Sequence, residues 1–522
     1  MARINTNIAS LIAQRNLAQS NSDLGVRLQR LATGLQLNRG ADDPAGLITS
    51  ERLRSNLRGI EQGVKNAERA SSVIATTEGS LTEVSELLNS IKSLVVEAAN
   101  SGAFSDAELD ANQRQIDSAI DSITRISNTA SFADLKLLNG ELGYTLSGVD
   151  STEITKATVN AAQFLERANI QTDVEVIESA QQASLYLRGD FTSNPPFNPP
   201  GVDGQLLSTV TVRLAGADGI QELTFTSGTT LDEVVTAVNA VGAATGVQAE
   251  RVSAADVTSG IRIFAAEYGS DAFVSVERVG ASGGFLDLGL VRLIDNGDPA
   301  TLDYTNGAIV ESATRDTGKD VVALINGALG TGRGLTISSK TSELDVDLLL
   351  TETFATAVSG TPSTFHITGG GSLYQLGPEV NASQQVSVGV QSIASSRLGG
   401  TLNSLAAGGT EFQFLSSLKS GGSNSLATGN FISASNILET AIDEISTLRG
   451  RLGAFERNTL QTNIRSLEAA LENVTSANSQ IRDADFAAET SALSRAQILT
   501  NAGTSVLATA NASAQSVLQL LG

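Results

Sequence analysis

Leu53, Ile60, Ala67, Ile74, Leu81, Leu88 and Val95 fall seven residues apart without a miss. A less regular series, beginning at Leu57 and Val64, sits four residues on from each. A seven-residue apolar repeat keeps one face of a helix turned towards a partner, so this seam predicts a helix packed against other helices over most of its length. Near the far end Leu460, Leu467, Val474 and Ile481 repeat the period, with Ile464 and Leu471 interleaved. Roughly the first 140 and last 125 residues are helical by this pattern, and the two arms are expected to partner each other in one bundle. Such an arrangement belongs to a structural or assembly protein more often than to an enzyme.

The first helix is predicted over about Ile4 to Leu35. Its apolar face moves: Ile4, Ile8 and Leu11 lie together, while Leu17, Leu24, Leu28, Leu31 and Leu35 form a second stripe rotated round the axis. Gly34 and Gly40 break it, and Asp42-Asp43-Pro44 has the acidic residues and proline of a helix start. The next helix runs to about Asn100, on the order of 80 Å at 1.5 Å per residue. Ser101-Gly102 ends it, and a third covers about Ser105 to Asn128. From about Phe132 the period becomes two. Asn139-Gly140 is a turn signal, and Tyr144, Leu146 and Val149 alternate as short strands do.

Of eight prolines only Pro44 lies in the arms, and Pro195-Pro196 and Pro199-Pro200 mark a linker into the middle region. There, Ser208–Leu214 and Glu222–Thr226 alternate around a hairpin turn at Asp218-Gly219. Thr230-Leu231-Asp232-Glu233 is a capping box opening a short helix to about Val241. Strands are expected near Val247–Val252, Ile261–Ala265 and Phe273–Val279. Asp320–Asn326 faintly echoes Glu233–Asn239, as a duplication would. The chain is expected to turn helical again after Gln384, with a loop at Gly421-Gly422, a long returning helix over Ser433–Ile481, and a last helix from about Asp485 to Leu521.

Composition narrows the function. A formal charge of −22 over 522 residues argues against a nucleic-acid partner and suits dense display in water. The chain has no Cys and a single His, His366, so zinc sites and histidine-based triads lack their parts. His366 is expected to be structural. Asp345 and Asp347 alternate with Leu344, Val346 and Leu348, which predicts the wet face of a strand. Gly330-Thr331-Gly332-Arg333-Gly334 lacks the Lys-Ser/Thr of a phosphate loop and is expected to be a turn. No catalytic residue, cofactor or metal is expected. The polar opening Met1-Ala2-Arg3-Ile4-Asn5-Thr6-Asn7 has no apolar signal core, so no Sec-type signal is expected and a chain of this kind that leaves the cell needs a dedicated export route; no run of about 18 apolar residues predicts a membrane span.

The two terminal helices are amphipathic and short of partners within the chain. Burying a leucine contributes ~1.5–3 kcal/mol, while ordering each residue costs ~1–2 kcal/mol of backbone entropy. A helix with only part of its burial satisfied should be loose alone and order on assembly.

Ile4-Asn5-Thr6-Asn7, the run Leu28–Asn38, Asp42-Asp43-Pro44-Ala45-Gly46, Thr76–Leu81 and Phe132–Asn139 resemble the N-terminal region of bacterial flagellin. Ser494–Leu499, Ala502–Ala508 and the closing Leu520-Leu521 are similar to the flagellin C-terminus. The stretch from about 208 to 280 resembles the hook-IN module inserted in some flagellins. The resemblance implies an α+β multidomain fold: discontinuous terminal helices form a coiled-coil-like α-helical bundle plus a β-hairpin, with a β-rich variable insertion. It implies residues 1–40 with 485–522 as the inner tube of a filament, 41–175 with 385–484 as a helical rod, and 176–384 as an exposed domain.

The implied function is that of a structural subunit of the extracellular flagellar filament, exported by the flagellar type III apparatus without a cleaved signal. The alternative is a hook–filament junction protein, and a flagellin carrying a carboxylate-only hydrolase in its middle is a more distant one. Its implied partners are copies of itself, an export chaperone, the filament cap and hook-junction proteins, with a host Toll-like receptor as a weak partner. The polymerisation interface is expected to use Ile4, Ile8, Leu11, Leu24, Leu28 and Leu31 with Ile498, Leu499, Val506, Leu507, Val517 and Leu518. The family's receptor-recognised stretch falls near Asn89 to Ala98. Leu94 is kept, but the family's arginine corresponds to Ser90 beside Asn89, and its glutamate to Gln115, which implies a poor agonist.

Overall fold

The computed structural model describes residues 6–100, 105–164, 167–188, 204–206, 208–253, 259–279, 290–293, 310–358, 360–404 and 410–521, with side chains for all of these except 402–411 and 514–521. Among the described residues the longer helices are α1 (Ile8–Thr33), α2 (Pro44–Ala99), α3 (Asp106–Thr129), α4 (Leu231–Ala240), α5 (Phe431–Phe455), α6 (Gln461–Arg482) and α7 (Phe486–Leu521). The chain divides into two compact units. One comprises Met1–Ile74, Tyr374–Gln385 and Leu452–Gly522, the other Ala75–Leu373 and Val386–Arg451.

In the first unit the start of α2 is built as its sequence predicts. The Asp43 carboxylate accepts from the Ala45 and Gly46 backbone N–H groups at 3.1 and 3.0 Å, and Pro44 takes the first helical position, where its missing N–H costs nothing. Ile60, Ala67 and Ile74 of the seven-spaced series are buried, and Leu53 is half-buried. The returning helix α6 lies along this part of α2. Ser50 Oγ bonds Asn478 Oδ1 at 2.8 Å, and Gly63 lets Leu467 approach until a Cβ there would be 3.2 Å from its Cδ1. The arms are therefore partners, as the common period implied. The returning helix is not one uninterrupted α-helix: residues Glu456–Leu460 are π-helical, and Ser71 Oγ donates to Glu456 Oε1 at 2.6 Å.

In the second unit Leu81, Leu88 and Val95 complete the buried seam, alongside Ile437, Leu438, Ala441 and Ile445 of α5. Lys92 pairs with Glu439 at 3.0 Å across the two helices. Helix α3 starts on a full capping box, Ser105 with Glu108, and buries Ile116, Ile120 and Ile123. A tight hairpin follows, Ser131–Phe132 paired with Leu135–Lys136. Its turn residues Ala133 (φ 47°) and Asp134 (φ 70°) both adopt positive φ, which a two-residue hairpin turn requires but which glycine or asparagine usually supplies.

Among the described residues this unit also holds two large β cores. In the first, a five-stranded sheet ordered Ala328–Leu329, Val322–Ile325, Ile170–Glu178, Ser363–Gly370, Tyr144–Ser147 shares a core with a four-stranded sheet ordered Thr331–Arg333, Thr336–Lys340, Leu344–Leu350, Ile154–Ala162. Every pairing is antiparallel, and inward alternation packs Val174, Val176, Ile337, Val346, Leu348 and Phe365 together. The second core is formed by Ser184–Leu187, Val210–Ala215, Val247–Arg251, Ile261–Ala265 and Phe273–Val279, closed by Leu231, Val234 and Val238 of α4. The hairpin Val210–Ala215/Ile220–Phe225 and the Thr230/Glu233 capping box fall where the sequence put them. The connections between the cores run side by side: Gln181 and Lys319 exchange backbone hydrogen bonds at 2.9 and 3.0 Å. Pro195-Pro196 and Pro199-Pro200 lie outside the described residues.

Several expectations need correction. The stretch 320–326 contains the strand Val322–Ile325, whereas 233–239 is helical, so the echo is not a structural duplication. The chain is not helical directly after Gln384: strand Gln385–Val388, a hairpin of Thr401–Ser404 with Thr410–Gln413, and 3-10 turns precede α5. The glycine-rich run includes the strand Thr331–Arg333 rather than being only a turn, and Gly332 passes so near the Val321 carbonyl that no side chain would fit. Asp345 and Asp347 are half-buried rather than wet. Asn160 Nδ2 donates to both, at 3.1 and 2.7 Å, and its carbonyl oxygen accepts from Arg451. The boundary expected at 175 falls inside the strand Ile170–Glu178.

Candidate assembly interface

Helices α1 and α7 pair antiparallel within the first unit, joined at the end where both helices meet the rest of that unit. Gly34 caps α1 in the left-handed conformation (φ 69°), its N–H bonded to the Arg30 carbonyl. The extended residues beyond each helix then pair: the Ala484 N–H reaches Gly34 O at 2.9 Å, and the Gln36 N–H reaches Arg482 O at 2.7 Å. Asp485 opens α7 by accepting from Ala487 and Ala488. At the opposite end Asn7 Nδ2 donates to Ala510 O at 3.0 Å, and Ser10 Oγ to Asn511 Oδ1 at 2.7 Å.

One carboxylate is enclosed between the helices. Glu489, 7% exposed, receives Arg27 Nη1 on both oxygens at 3.0 Å and Arg30 Nη1 at 3.1 Å. Burial pushes this carboxyl up, but the hydrogen bonds from Arg27 and Arg30 outweigh it and hold the group below the usual carboxylate range. The same contact with Glu489 raises Arg27.

Despite this pairing, α1 buries only Ser10 and Ala13 among its 26 residues. Of the residues expected to drive polymerisation, Ile8, Leu11 (61% exposed), Leu28, Ile498 (67%), Leu499 and Val506 stand exposed. Leu24, Leu31 and Leu507 are half-buried. Ile4 lies outside the described residues, and Val517 and Leu518 are on α7 with side chains outside them. Ile12 and Phe486 are also exposed and were not anticipated. Ile12 carried a signal, lying four residues beyond Ile8, whereas Phe486 stands in the first turn, outside any period. Scattered exposed leucines are ordinary, but here eight large apolar side chains stand exposed on one helix pair.

The receptor-like positions sit in the second unit. Asn89 and Ser90 on α2 and Gln115 on α3 are exposed, while Leu94 is half-buried next to the buried Val95. Among the described residues no cluster of three or more His, Cys, Asp or Glu could hold a metal ion, and no helix is long and apolar enough to cross a membrane. His366 lies half-buried on the strand Ser363–Gly370.

Comparison with known proteins places these features. The bacterial flagellin N-terminal helical region matches residues 4–142, the bacterial flagellin C-terminal helical region matches 435–521, and the flagellin hook IN motif matches 209–267. The flagellin of Salmonella rubislaw is 30% identical over 532 residues, covering 99% of both chains. The B-type flagellin of Pseudomonas aeruginosa is 29% identical, again over 99% of each. Among solved structures, FliC from Burkholderia pseudomallei aligns at 12% identity and a TM-score of 0.21, covering 76% of this chain and 99% of its own. Full-length likeness is to flagellins, and nothing favours the hook-junction alternative. The chain belongs to the flagellin family, a family of structural proteins, and is an extracellular subunit of the bacterial flagellar filament.

Proposed function

We propose that the exposed apolar stripe of the α1/α7 pair is the polymerisation surface, and that it is buried only by neighbouring copies. The single observation carrying this reading is that Ile8, Leu11, Leu28, Ile498, Leu499 and Val506 stay exposed on helices that are already paired. Covering each would contribute roughly 1–2 kcal/mol, about what ordering one residue costs, so the pair gains its rigidity on assembly. Contacts of this kind run head to tail between unlike surfaces, do not close into a ring, and propagate as a helical fibre. In this reading residues 1–40 with 485–522 line the filament, α2, α3, α5 and α6 surround that lining, and the second β core faces outward.

Family membership supports the remaining parts of the proposal. The chain travels unfolded through the flagellar type III apparatus without a cleaved signal. A chaperone shields its C-terminal helix, whose apolar residues would otherwise aggregate, and the cap and hook-junction proteins meet it at the filament. The protein works without enzymatic chemistry. With Ser90 and Gln115 in place of an arginine and a glutamate, a Toll-like receptor is engaged weakly, and a reporter assay matching enterobacterial potency would refute that part.

Removing about 30 residues from either end tests the core of the reading. The truncated chain should stay soluble and folded while filaments vanish in electron micrographs. Normal filaments from either truncation would overturn it.

A further inference from the structure

We propose that Glu489, held by Arg27 and Arg30, sets the register in which α1 and α7 pair, and so acts as a specificity-determining residue of the assembly surface. The proposal rests on the reading of that surface as the polymerisation interface. Along the inner face of α7 the residues Glu489, Ala496, Gly503 and Ala510 recur seven apart. Ala496 is 2% exposed, Gly503 lies against Leu17, and the Ala510 carbonyl takes the Asn7 amide. Three of the four are small and apolar, so a slide of seven residues would place Leu17 against an alanine in place of Gly503 with little change in packing. Apolar contact has no direction of its own, so register is left to the polar contacts: Asn7 with Ala510 and Ser10 with Asn511 at one end, the backbone bonds of Gly34 with Ala484 and Gln36 with Arg482 at the other, and Glu489 between its arginines.

Glu489 adds a charge-assisted constraint to these. A slip would carry its enclosed carboxylate away from both guanidinium groups and leave it buried without a cation, while Arg30 would lose Glu489 and Arg27 would keep only Asp23, a far larger penalty than the loss of a methyl contact. A polar group at one position of an otherwise apolar seam is the ordinary means of fixing alignment between helices. The alignment matters for assembly because a seven-residue slip moves α7 by about 10 Å along α1. Ile498, Leu499 and Val506 would then no longer stand level with the same apolar residues of α1, and the composite stripe offered to the next copy would be broken.

The chain contains no cysteine, so engineered thiols report register without background. In the full-length protein, S10C/N511C joins neighbours of the observed register, and S10C/T504C joins the pair that a seven-residue slip would create. With Glu489 present, a short thiol crosslinker should favour the first pair by about tenfold or more. In E489Q, and in the apolar triple variant R27L/R30L/E489L, the preference should fall to within about threefold. Replacing a buried charged triad by well-packed apolar groups can preserve stability, so the triple variant should keep its helical content while losing its selectivity. An undiminished preference in either variant overturns the proposal, as does loss of helix in both, which would make the triad a scaffold only. Electron microscopy of the unaltered chain separates the two claims: failure to form filaments sinks the polymerisation reading and leaves the crosslink ratio readable.

Discussion

Leu17 of α1 rests on Gly503 of α7 so closely that a Cβ at 503 would lie 3.1 Å from the Leu17 Cδ1. The glycine keeps the two helices close at this point, at the expense of helix propensity. Gly503→Ala should be close to neutral: the methyl asks Leu17 to yield a few tenths of an ångström, and the helix gains up to ~1 kcal/mol. Gly503→Phe should separate α1 from α7 and abolish filaments. Circular dichroism and electron microscopy of the two variants check this, and normal filaments from the phenylalanine variant would contradict the close-packing argument.

Leu11 and Ile498 are exposed, so charge placed there meets water in the isolated chain. Leu11→Glu and Ile498→Glu should each shift chain stability by no more than about 0.5 kcal/mol. Polymerisation should nevertheless fail, because a neighbouring copy would have to bury the new carboxylate. Sedimentation of filaments against thermal unfolding of the monomer gives the comparison.

The Glu489 carboxyl is held below its ordinary value of 4.5. Its contribution to folding is therefore fully present above that value, and is lost as pH falls through the lower value of the folded chain. The α1/α7 pair should loosen on acidification below about pH 4.5. E489Q should begin weaker at neutral pH and show a flatter acid profile, measured by hydrogen exchange of the α1 and α7 amides across pH.

Leu88 is fully buried in the α2 seam, while Ser90 two residues on is exposed. Leu88→Ala should cost about 2–5 kcal/mol, read as a lowered thermal midpoint. The double variant S90R/Q115E should change stability by less than about 0.5 kcal/mol and raise signalling in a Toll-like receptor reporter assay. An unchanged reporter response would count against the assignment of that stretch.

Gln181 and Lys319 already exchange backbone hydrogen bonds where the chain enters and leaves the second β core. Deleting 183–316 and joining the ends through a short glycine link should leave the first β core folded and filaments intact. The wider deletion of 190–380 should not, because it removes the strands Leu344–Leu350 and Ser363–Gly370 that pair with Ile154–Ala162, Ile170–Glu178 and Tyr144–Ser147. Thermal unfolding and electron microscopy of both deletions decide the point.

The sequence by itself determined what is local or periodic. The seven-residue repeat named the buried face of α2, the Ser105/Glu108 and Thr230/Glu233 boxes placed two helix starts, and Gly34 and Asp43-Pro44 placed the break between α1 and α2. Each of these is a preference that a few neighbouring residues satisfy among themselves. The apolar positions of α1 and α7 were likewise legible, because amphipathic spacing marks a face whatever covers it. Only the tertiary structure decided the rest. The turn at Ala133-Asp134 takes positive φ although neither residue is glycine or asparagine. The stretch Asp320–Asn326 became strand rather than helix because Ile170–Glu178 offered it an edge. Glu489 looked like one more acidic residue in a helix's first turn, and its two arginines lie more than 450 positions away in the chain. Partners so remote leave no local trace, since what brings them together is the packing of whole helices.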